Sequence, residues 1–142
     1  LVNNGSVATA PALYRKLSYS VVKDLAPISL AVQSPYVLTV HPGVKANSVQ
    51  DLINLAHAQP GKLTYGSVGV GSPAHLMTEF LKSLTKADMV HVPYKGGAPS
   101  TTGLLSGEIQ VLFSPISTML QHARAGRARS TGWGRICARA NN

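Results

Sequence analysis

The spacing of apolar residues in the first third of the chain predicts one helix and two strands. Residues 6–17 are expected to form a short helix, in which Pro11 must occupy the first turn or interrupt the helix. Two segments, residues 28–33 and Tyr36–Val40, contain enough apolar residues to form strands that are buried on both faces.

From residue 43 onward the pattern alternates regularly between helix and strand. Ser48 and Asp51 match a capping box, and the helix that they begin has an apolar face and ends at Pro60. A second amphipathic helix is predicted at residues 73–84, with a buried stripe of Leu76, Phe80, Leu81 and Leu84. The other predicted elements are strands at 62–67, 89–92 and 108–113 and helices at 99–105 and 117–125. This alternation predicts an α/β fold with a largely parallel sheet.

The same pattern divides the chain into three parts. Residues 45–125 are expected to form one nearly complete α/β unit, and residues 1–44 a partial unit before it. From residue 126 the chain consists mainly of Arg, Ala, Gly and Ser around Trp133, with neither helical nor strand periodicity. We therefore expect residues 126–142 to be a disordered or poorly packed basic tail.

The formal charge of +8 first suggests a nucleic acid or an anionic membrane as partner. Five of the 13 basic residues, however, lie in the last 19 positions, and residues 1–123 hold eight basic against five acidic residues. The folded body is therefore only mildly basic, and no recognition module is visible. Nucleic-acid binding through the Arg-rich tail stays open as an alternative.

Cysteine content and hydropathy restrict the class of protein. Cys137 is the single cysteine, so an intrachain disulfide is impossible. No apolar run approaches the roughly 20 residues that a membrane span needs. The first residues do not resemble a signal peptide, so an exported protein would have its signal outside this chain.

The glycine-rich segment at residues 65–75 is the most informative one, because it joins a predicted strand to a predicted helix. Gly69 and Gly71 allow positive φ and a close approach to a ligand, and Ser72 is a good helix N-cap. Backbone amides in such a turn, together with the helix dipole, favour an anion. The alternative is a tight connection that binds nothing.

Enzyme interpretations of the same segment have weaker support. The spacing Gly69-x-Gly71-x-x-Ala74 matches a dinucleotide fingerprint, but Asp88 precedes the next strand where a ribose-binding carboxylate should follow it. A nucleotide-using α/β enzyme stays open as an alternative. The acidic residues are scattered, and the five histidines show no metal-ligand spacing, so neither a catalytic group nor a metal site is expected. His91 lies within a strand and is expected to be a packing residue.

Nine segments match the motifs of one known family. They are residues 13–17 (LYRKL), 23–27 (KDLAP), 41–42 (HP), 60–65 (PGKLTY), 69–72 (GVGS), 75–76 (HL), 91–96 (HVPYKG), 104–107 (LLSG) and 122–126 (HARAG). The block from 60 to 107 is the most specific part, because its motifs occur in family-like order and spacing. Through these segments residues 1–126 resemble the Bug (TctC-like) extracytoplasmic receptors of the tripartite tricarboxylate transporter system.

The resemblance implies a type II periplasmic-binding-protein fold, with residues 45–125 as most of the second lobe and residues 1–44 as a remnant of the first. It implies a periplasmic receptor that captures a small carboxylate for membrane transporter subunits, without catalysis, cofactor or metal. In such receptors two strand-to-helix loops hold the carboxylate, and one of them matches residues 67–72. The implied ligand contacts are the amides around Gly69, Gly71 and Ser72 and the hydroxyls of Ser67 and Ser72, with His75 and Tyr94 as weaker candidates.

The sequence also departs from the family pattern. The opposite glycine-rich loop and the later part of the first lobe have no counterpart here, Ser114-Pro115 replaces a common Asp-Asn, and the segment after Gly126 is not the expected apolar strand. These departures suggest a truncated receptor whose reading frame is disrupted near its end. We therefore expect weak or absent carboxylate binding, and self-association through the exposed apolar face of the incomplete lobe.

Overall fold

The computed structural model describes residues 4–26, 28–29 and 32–132 of the chain. Within these ranges five helices alternate with five strands, apart from a long irregular segment between the first helix and the first strand. The elements are α1 (Asn4–Leu13), β1 (Tyr36–Val40), α2 (Val49–Ala58), β2 (Leu63–Ser67), α3 (Pro73–Thr85), β3 (Met89–Pro93), α4 (Gly97–Ser106), β4 (Val111–Pro115), α5 (Ile116–Arg124) and β5 (Arg129–Gly132).

The five strands form one sheet in the order β3-β2-β4-β1-β5. β2 is parallel to β3 and to β4, with Tyr65 opposite Val111. β1 runs antiparallel to both of its neighbours, with Leu38 opposite Phe113 of β4. The α/β class is confirmed, but the sheet is mixed, because β1 runs against the other four strands.

Apolar side chains fill both faces of this sheet. Adjacent residues of β4 belong to different clusters, since Val111 packs with α2 and α3 while Leu112 packs with α4 and α5. Leu52 and Leu104 are almost completely buried, one in each cluster. Two layers of helices therefore enclose the sheet, as expected for a domain whose strands carry apolar residues on both faces.

Helix α3 buries a different stripe from the one that its hydrophobicity predicts. Phe80 and Leu84 are 59% and 67% exposed, whereas Ala74, Thr78 and Leu81 are buried. Thr78 tolerates burial because its hydroxyl donates to the Ala74 carbonyl oxygen at 2.9 Å. The prediction is therefore right for Leu81 and wrong for Phe80 and Leu84.

Two further expectations are corrected at the ends of the chain. Residues 28, 29, 32 and 33 form no strand, and Ile28 is 99% exposed; residues 30 and 31 of the predicted strand lie outside the described residues. The chain was expected to have no ordered element after residue 126, yet β5 pairs with β1 at the sheet edge and buries Thr131. Residues 133–142 lie outside the described residues. Among the described helices, none combines the length and apolar content that a membrane span requires.

Candidate functional site

The glycine-rich segment connects the carboxyl end of β2 to the amino end of α3, in the parallel part of the sheet. We call residues 67–72 the glycine loop. The carboxyl ends of parallel strands are the usual place for ligands in α/β folds. Ser72 is the N-cap of α3, and its hydroxyl oxygen accepts a hydrogen bond from the His75 amide at 3.4 Å. The predicted strand-to-helix turn is thus present, with the predicted cap.

Two serine hydroxyls hold the glycine loop in shape. Ser67 Oγ accepts from the Gly69 amide and also lies 3.0 Å from the Gly69 carbonyl oxygen, to which it can donate. Ser72 Oγ donates to the same carbonyl at 2.7 Å. Gly69 and Gly71 have φ values of 122° and 78°, a region that favours glycine, so both glycines are required by the turn.

The three loop amides that the sequence identified as anion donors each have an acceptor within the protein. The Gly69 amide donates to Ser67 Oγ, the Ser72 amide to the Gly69 carbonyl oxygen at 3.2 Å, and the Gly71 amide to Nδ1 of His75 at 3.2 Å. An anion that uses any of these donors must therefore replace an existing hydrogen bond.

Three rings pack together beside the glycine loop, with two of their pairs stacked and one tilted. The ring centroids of His75 and His91 are 4.4 Å apart, and His91 stacks on Tyr65 at 4.9 Å. Nε2 of His91 lies 2.7 Å from Ser67 Oγ, so His91 contacts the loop through that hydroxyl. Sequence reasoning assigned His91 to packing and missed this contact. The contact depends on the parallel register that places His91 opposite Tyr65, which no local sequence pattern gives.

Charged groups on α3 border this stack. The Tyr65 hydroxyl donates to Glu79 at 2.5 Å, and Lys82 pairs with the same carboxylate at 2.8 Å. The hydrogen bonds from Lys82 and Tyr65 lower the pKa of Glu79. Burial lowers the pKa of His91, and the charge of His75 lowers it further.

Tyr94 follows β3 but directs its side chain away from the stacked rings. Its backbone amide donates to the Ser67 carbonyl oxygen at 2.8 Å, which ties the end of β3 to the start of the glycine loop. Its ring packs with the α4–α5 cluster, and its hydroxyl contacts Gly103 of α4. Burial raises the pKa of this phenol. A ligand contact by the Tyr94 side chain stays a prediction.

A half-open cavity of about 190 Å³ separates the glycine loop from α1. The Thr9 hydroxyl crosses this gap and donates to the Gly71 carbonyl oxygen at 3.2 Å. Sequence reasoning did not place α1 at the site, because nothing in the composition of the helix indicates which loop it packs against. The cavity is lined by Thr9, Ala10, Leu13, Tyr14, Val68, Val70, Gly71 and Ser72.

The geometry gives little support to enzyme chemistry. Ser67 and His91 are close enough for a nucleophile and its base, but Ser67 is completely buried and cannot reach a substrate. Asp88 stands at the amino end of β3, the wrong edge of the sheet for binding a ribose. Within residues 4–26, 28–29 and 32–132, no group of three His, Cys, Asp or Glu side chains is placed to hold a metal ion.

Comparison with known proteins identifies relatives over most of the chain. The model of the "Tripartite tricarboxylate transporter family receptor" family, TctC, matches residues 1–135. Protein BugT of Bordetella pertussis is 32% identical over 128 residues, which cover 90% of this chain and 39% of BugT. A second Bordetella pertussis protein, of the UPF0065 group, is 33% identical over 93% of this chain and 41% of its own length.

Solved structures give the same result for the fold. Rpa4515 of R. palustris, solved with adipate, is 32% identical with a TM-score of 0.77, and the match covers 84% of this chain and 40% of Rpa4515. The periplasmic binding protein BugD has a TM-score of 0.82 at 23% identity over 89% of this chain and 42% of BugD, which supports the fold alone.

This chain spans about two-fifths of the length of these relatives. None of these matches supports the nucleotide-enzyme or nucleic-acid alternatives. The family match and the relatives agree with the resemblance that the sequence motifs indicated. The chain therefore belongs to the TctC family, the tripartite tricarboxylate transporter family receptors.

Proposed function

We propose that this chain carries one ligand-binding loop of a periplasmic receptor for small carboxylates, which delivers its ligand to the membrane subunits of a tripartite transporter. The observation that supports this most directly is the glycine loop, which opens onto a cavity at the amino end of α3. Family membership supports the same function, and so does the adipate bound to the relative Rpa4515. The receptor binds and releases its ligand without making or breaking a bond.

The glycine loop and the cavity suit different parts of such a ligand. Loop amides and the positive end of the α3 dipole favour a carboxylate near Gly71 and Ser72. Leu13 and Val70 offer apolar surface beside that position, against which a short carbon chain can pack. We propose Gly69, Gly71, Ser72 and His75 as the residues that bind the carboxylate. The buried Ser67 orients it only by holding the glycine loop in shape, and Tyr94 anchors the loop from β3.

Binding by the 142-residue chain is expected to be weak. The glycine loop supplies one set of donors, and each donor must first leave an internal acceptor. In the receptors that this chain resembles, a second loop completes the carboxylate clamp. Because each new hydrogen bond to the anion replaces an internal one, the net gain is small, and we expect affinity in the millimolar range, about −4 kcal/mol.

A nuclear magnetic resonance titration of the ¹⁵N-labelled chain with adipate, malate and citrate tests this proposal. We expect concentration-dependent shifts of the amides of the glycine loop. Gly69→Asp places a negative charge in the loop, at a position where an added side chain meets nothing within 4 Å. Gly126→Asp is the matched control, because Gly126 also has positive φ and open surroundings but follows α5.

The proposal requires that Gly69→Asp abolish the shifts and that Gly126→Asp retain them. Equal shifts in both variants would mean that the ligand binds outside the glycine loop, which would contradict the proposal. No shift of loop amides in the unsubstituted chain with any of the three acids would refute carboxylate binding by this loop.

Self-association is a separate part of the proposal. Val22, Ile28 and Val32 are largely exposed in the segment that precedes β1, and such apolar surface favours association. Sedimentation velocity over a range of protein concentrations checks it. A single monomeric species at every concentration would contradict it.

A further inference from the structure

The hydrogen bond between Gly71 and His75 depends on the protonation state of the imidazole. Nδ1 of His75 accepts from the Gly71 amide at 3.2 Å, so this nitrogen must carry a lone pair and no proton. The neutral ring then carries its proton on Nε2. An imidazolium ion has a proton on both nitrogens and accepts no hydrogen bond. The glycine loop in this structure is therefore the form that belongs to a neutral His75.

The groups around His75 allow the ring pair to accept one proton and disfavour a second. His91 faces it from β3, with ring centroids 4.4 Å apart, and two positive charges at that distance repel strongly. On α3 itself Glu79 and Lys82 border the stack, and Tyr65 faces it from β2. The Glu79 carboxylate is a nearby negative charge that favours a single cation in the pair.

The two rings contact different parts of the glycine loop. Burial, followed by the charge of the neighbouring His75, lowers the pKa of His91, which disfavours the charged form of that ring. His91 is also fixed by Ser67 Oγ at 2.7 Å, and that hydroxyl holds Gly69. A proton on His75 therefore changes the loop at Gly71 and leaves the part around Gly69 unchanged.

We propose that anion capture by the glycine loop is linked to the uptake of one proton by His75. When a solvent proton binds Nδ1, the Gly71 amide loses its acceptor and becomes available to a carboxylate. The new imidazolium charge lies beside the same amide and attracts the anion as well. The neutral loop is thus closed to the ligand by its own hydrogen bond, and protonation opens it. This linkage rests on the proposed function, because it requires that the loop bind an anion.

The first test is the pH dependence of adipate affinity in the 142-residue chain. Between about pH 6 and pH 8 the carboxylates of adipate are mostly ionised, and imidazoles and a terminal amino group are the protein groups that titrate in this range. One linked proton makes the affinity rise by up to about tenfold for each unit that the pH falls. His75→Asn keeps an acceptor for the Gly71 amide but cannot become a cation, so the pH dependence should disappear. His122→Gln on α5 is the control that should retain it.

The second test needs no ligand. The proton resonance of the Gly71 amide should move upfield as the pH falls through the imidazole range, because the amide loses its acceptor. The Gly69 amide should stay nearly constant, since Ser67 continues to accept its proton. In His75→Asn the Gly71 resonance should not titrate. This measurement reports on the switch even if adipate binds too weakly for an accurate constant.

The two tests separate failure of the linkage from failure of the proposed function. Adipate binding with the same affinity at all pH values would overturn the linkage and leave the function standing. A Gly71 amide that does not titrate would overturn the linkage whether or not adipate binds. Absence of loop shifts with adipate throughout the pH range would overturn the proposed function, and the linkage with it.

Discussion

Replacing Gly71 with alanine should destabilise the protein by two separable effects. Gly71 has a φ of 78°, where a residue with a Cβ costs about 1–3 kcal/mol. The added Cβ would also overlap with Cδ1 of Leu13 on α1. Leu13 is 44% exposed, so roughly half of its side chain is buried, which is worth about 1 kcal/mol. Gly71→Ala must displace this side chain and lose that burial.

A double-mutant cycle isolates the second effect. Leu13→Ala alone should cost about 1 kcal/mol, and in the Leu13→Ala background Gly71→Ala should cost only the backbone strain. The double variant should therefore be about 1 kcal/mol more stable than the sum of the two single changes predicts. Gly69→Ala is the matched control, because its new Cβ meets nothing within 4 Å and its effect should add to that of Leu13→Ala.

Urea unfolding monitored by far-ultraviolet circular dichroism supplies the free energies of unfolding for this cycle. Coupling of about 1 kcal/mol for the Gly71 pair, with additivity within about 0.5 kcal/mol for the Gly69 pair, is the expected result. Strict additivity in both pairs would mean that α1 does not pack on the glycine loop. The cavity between α1 and the loop would then not exist as described, and the ligand position that depends on it would be refuted.

Four further predictions concern the core, the cap of α2 and a phenol. Leu104→Ala should lower the free energy of unfolding by about 2–5 kcal/mol in urea, because Leu104 is completely buried. Ser48→Ala should cost about 1 kcal/mol through loss of the α2 cap. Hydrogen bonds from Asn47 and Ser48 lower the pKa of Asp51, so its stabilisation should begin to decline below about pH 4 and be lost as the pH falls through the lowered pKa of the folded state. Asp51→Asn should therefore flatten the acid limb of the stability curve. Burial raises the pKa of Tyr65, so Tyr65→Phe should remove a late step from the alkaline absorbance titration.

The elements that were predicted correctly are those whose signals are local. The capping box at Ser48, the N-cap at Ser72 and the apolar run of β1 depend on residues within a few positions, and each occurs as expected. The direction of β1 was not predictable in this way, because an apolar strand has the same composition in either direction. None of the four residues of β5 is apolar. This strand forms by pairing with the edge of β1 that β4 leaves open.

Helix α3 shows a second limit. Hydrophobicity ranks Phe80 and Leu84 above Thr78, but a close helix-to-sheet approach favours smaller side chains. Thr78 satisfies its hydroxyl within the helix, so its burial costs little. The large apolar residues then occupy the outer face.

The candidate site was predicted only in its sequence-local part. Glycine spacing and the cap indicated the loop between β2 and α3, and the structure has that loop. The contacts of His91 with Ser67 and of α1 with Gly71 join residues 24 and 62 positions apart, and no local pattern encodes such contacts. The internal acceptors of the loop amides were missed for the same reason, since the side chain of His75 turns back toward the loop.

The place of β1 in the middle of the sheet affects the order in which the chain can fold. β1 lies between β4 and β5, although 70 or more residues separate it from either neighbour. β2 and β3 can pair once residue 93 has been made, whereas β1 needs residues 111–115 and 129–132 for the two neighbours that it has in this structure. Pairing between segments so distant in sequence predicts slow, aggregation-sensitive folding.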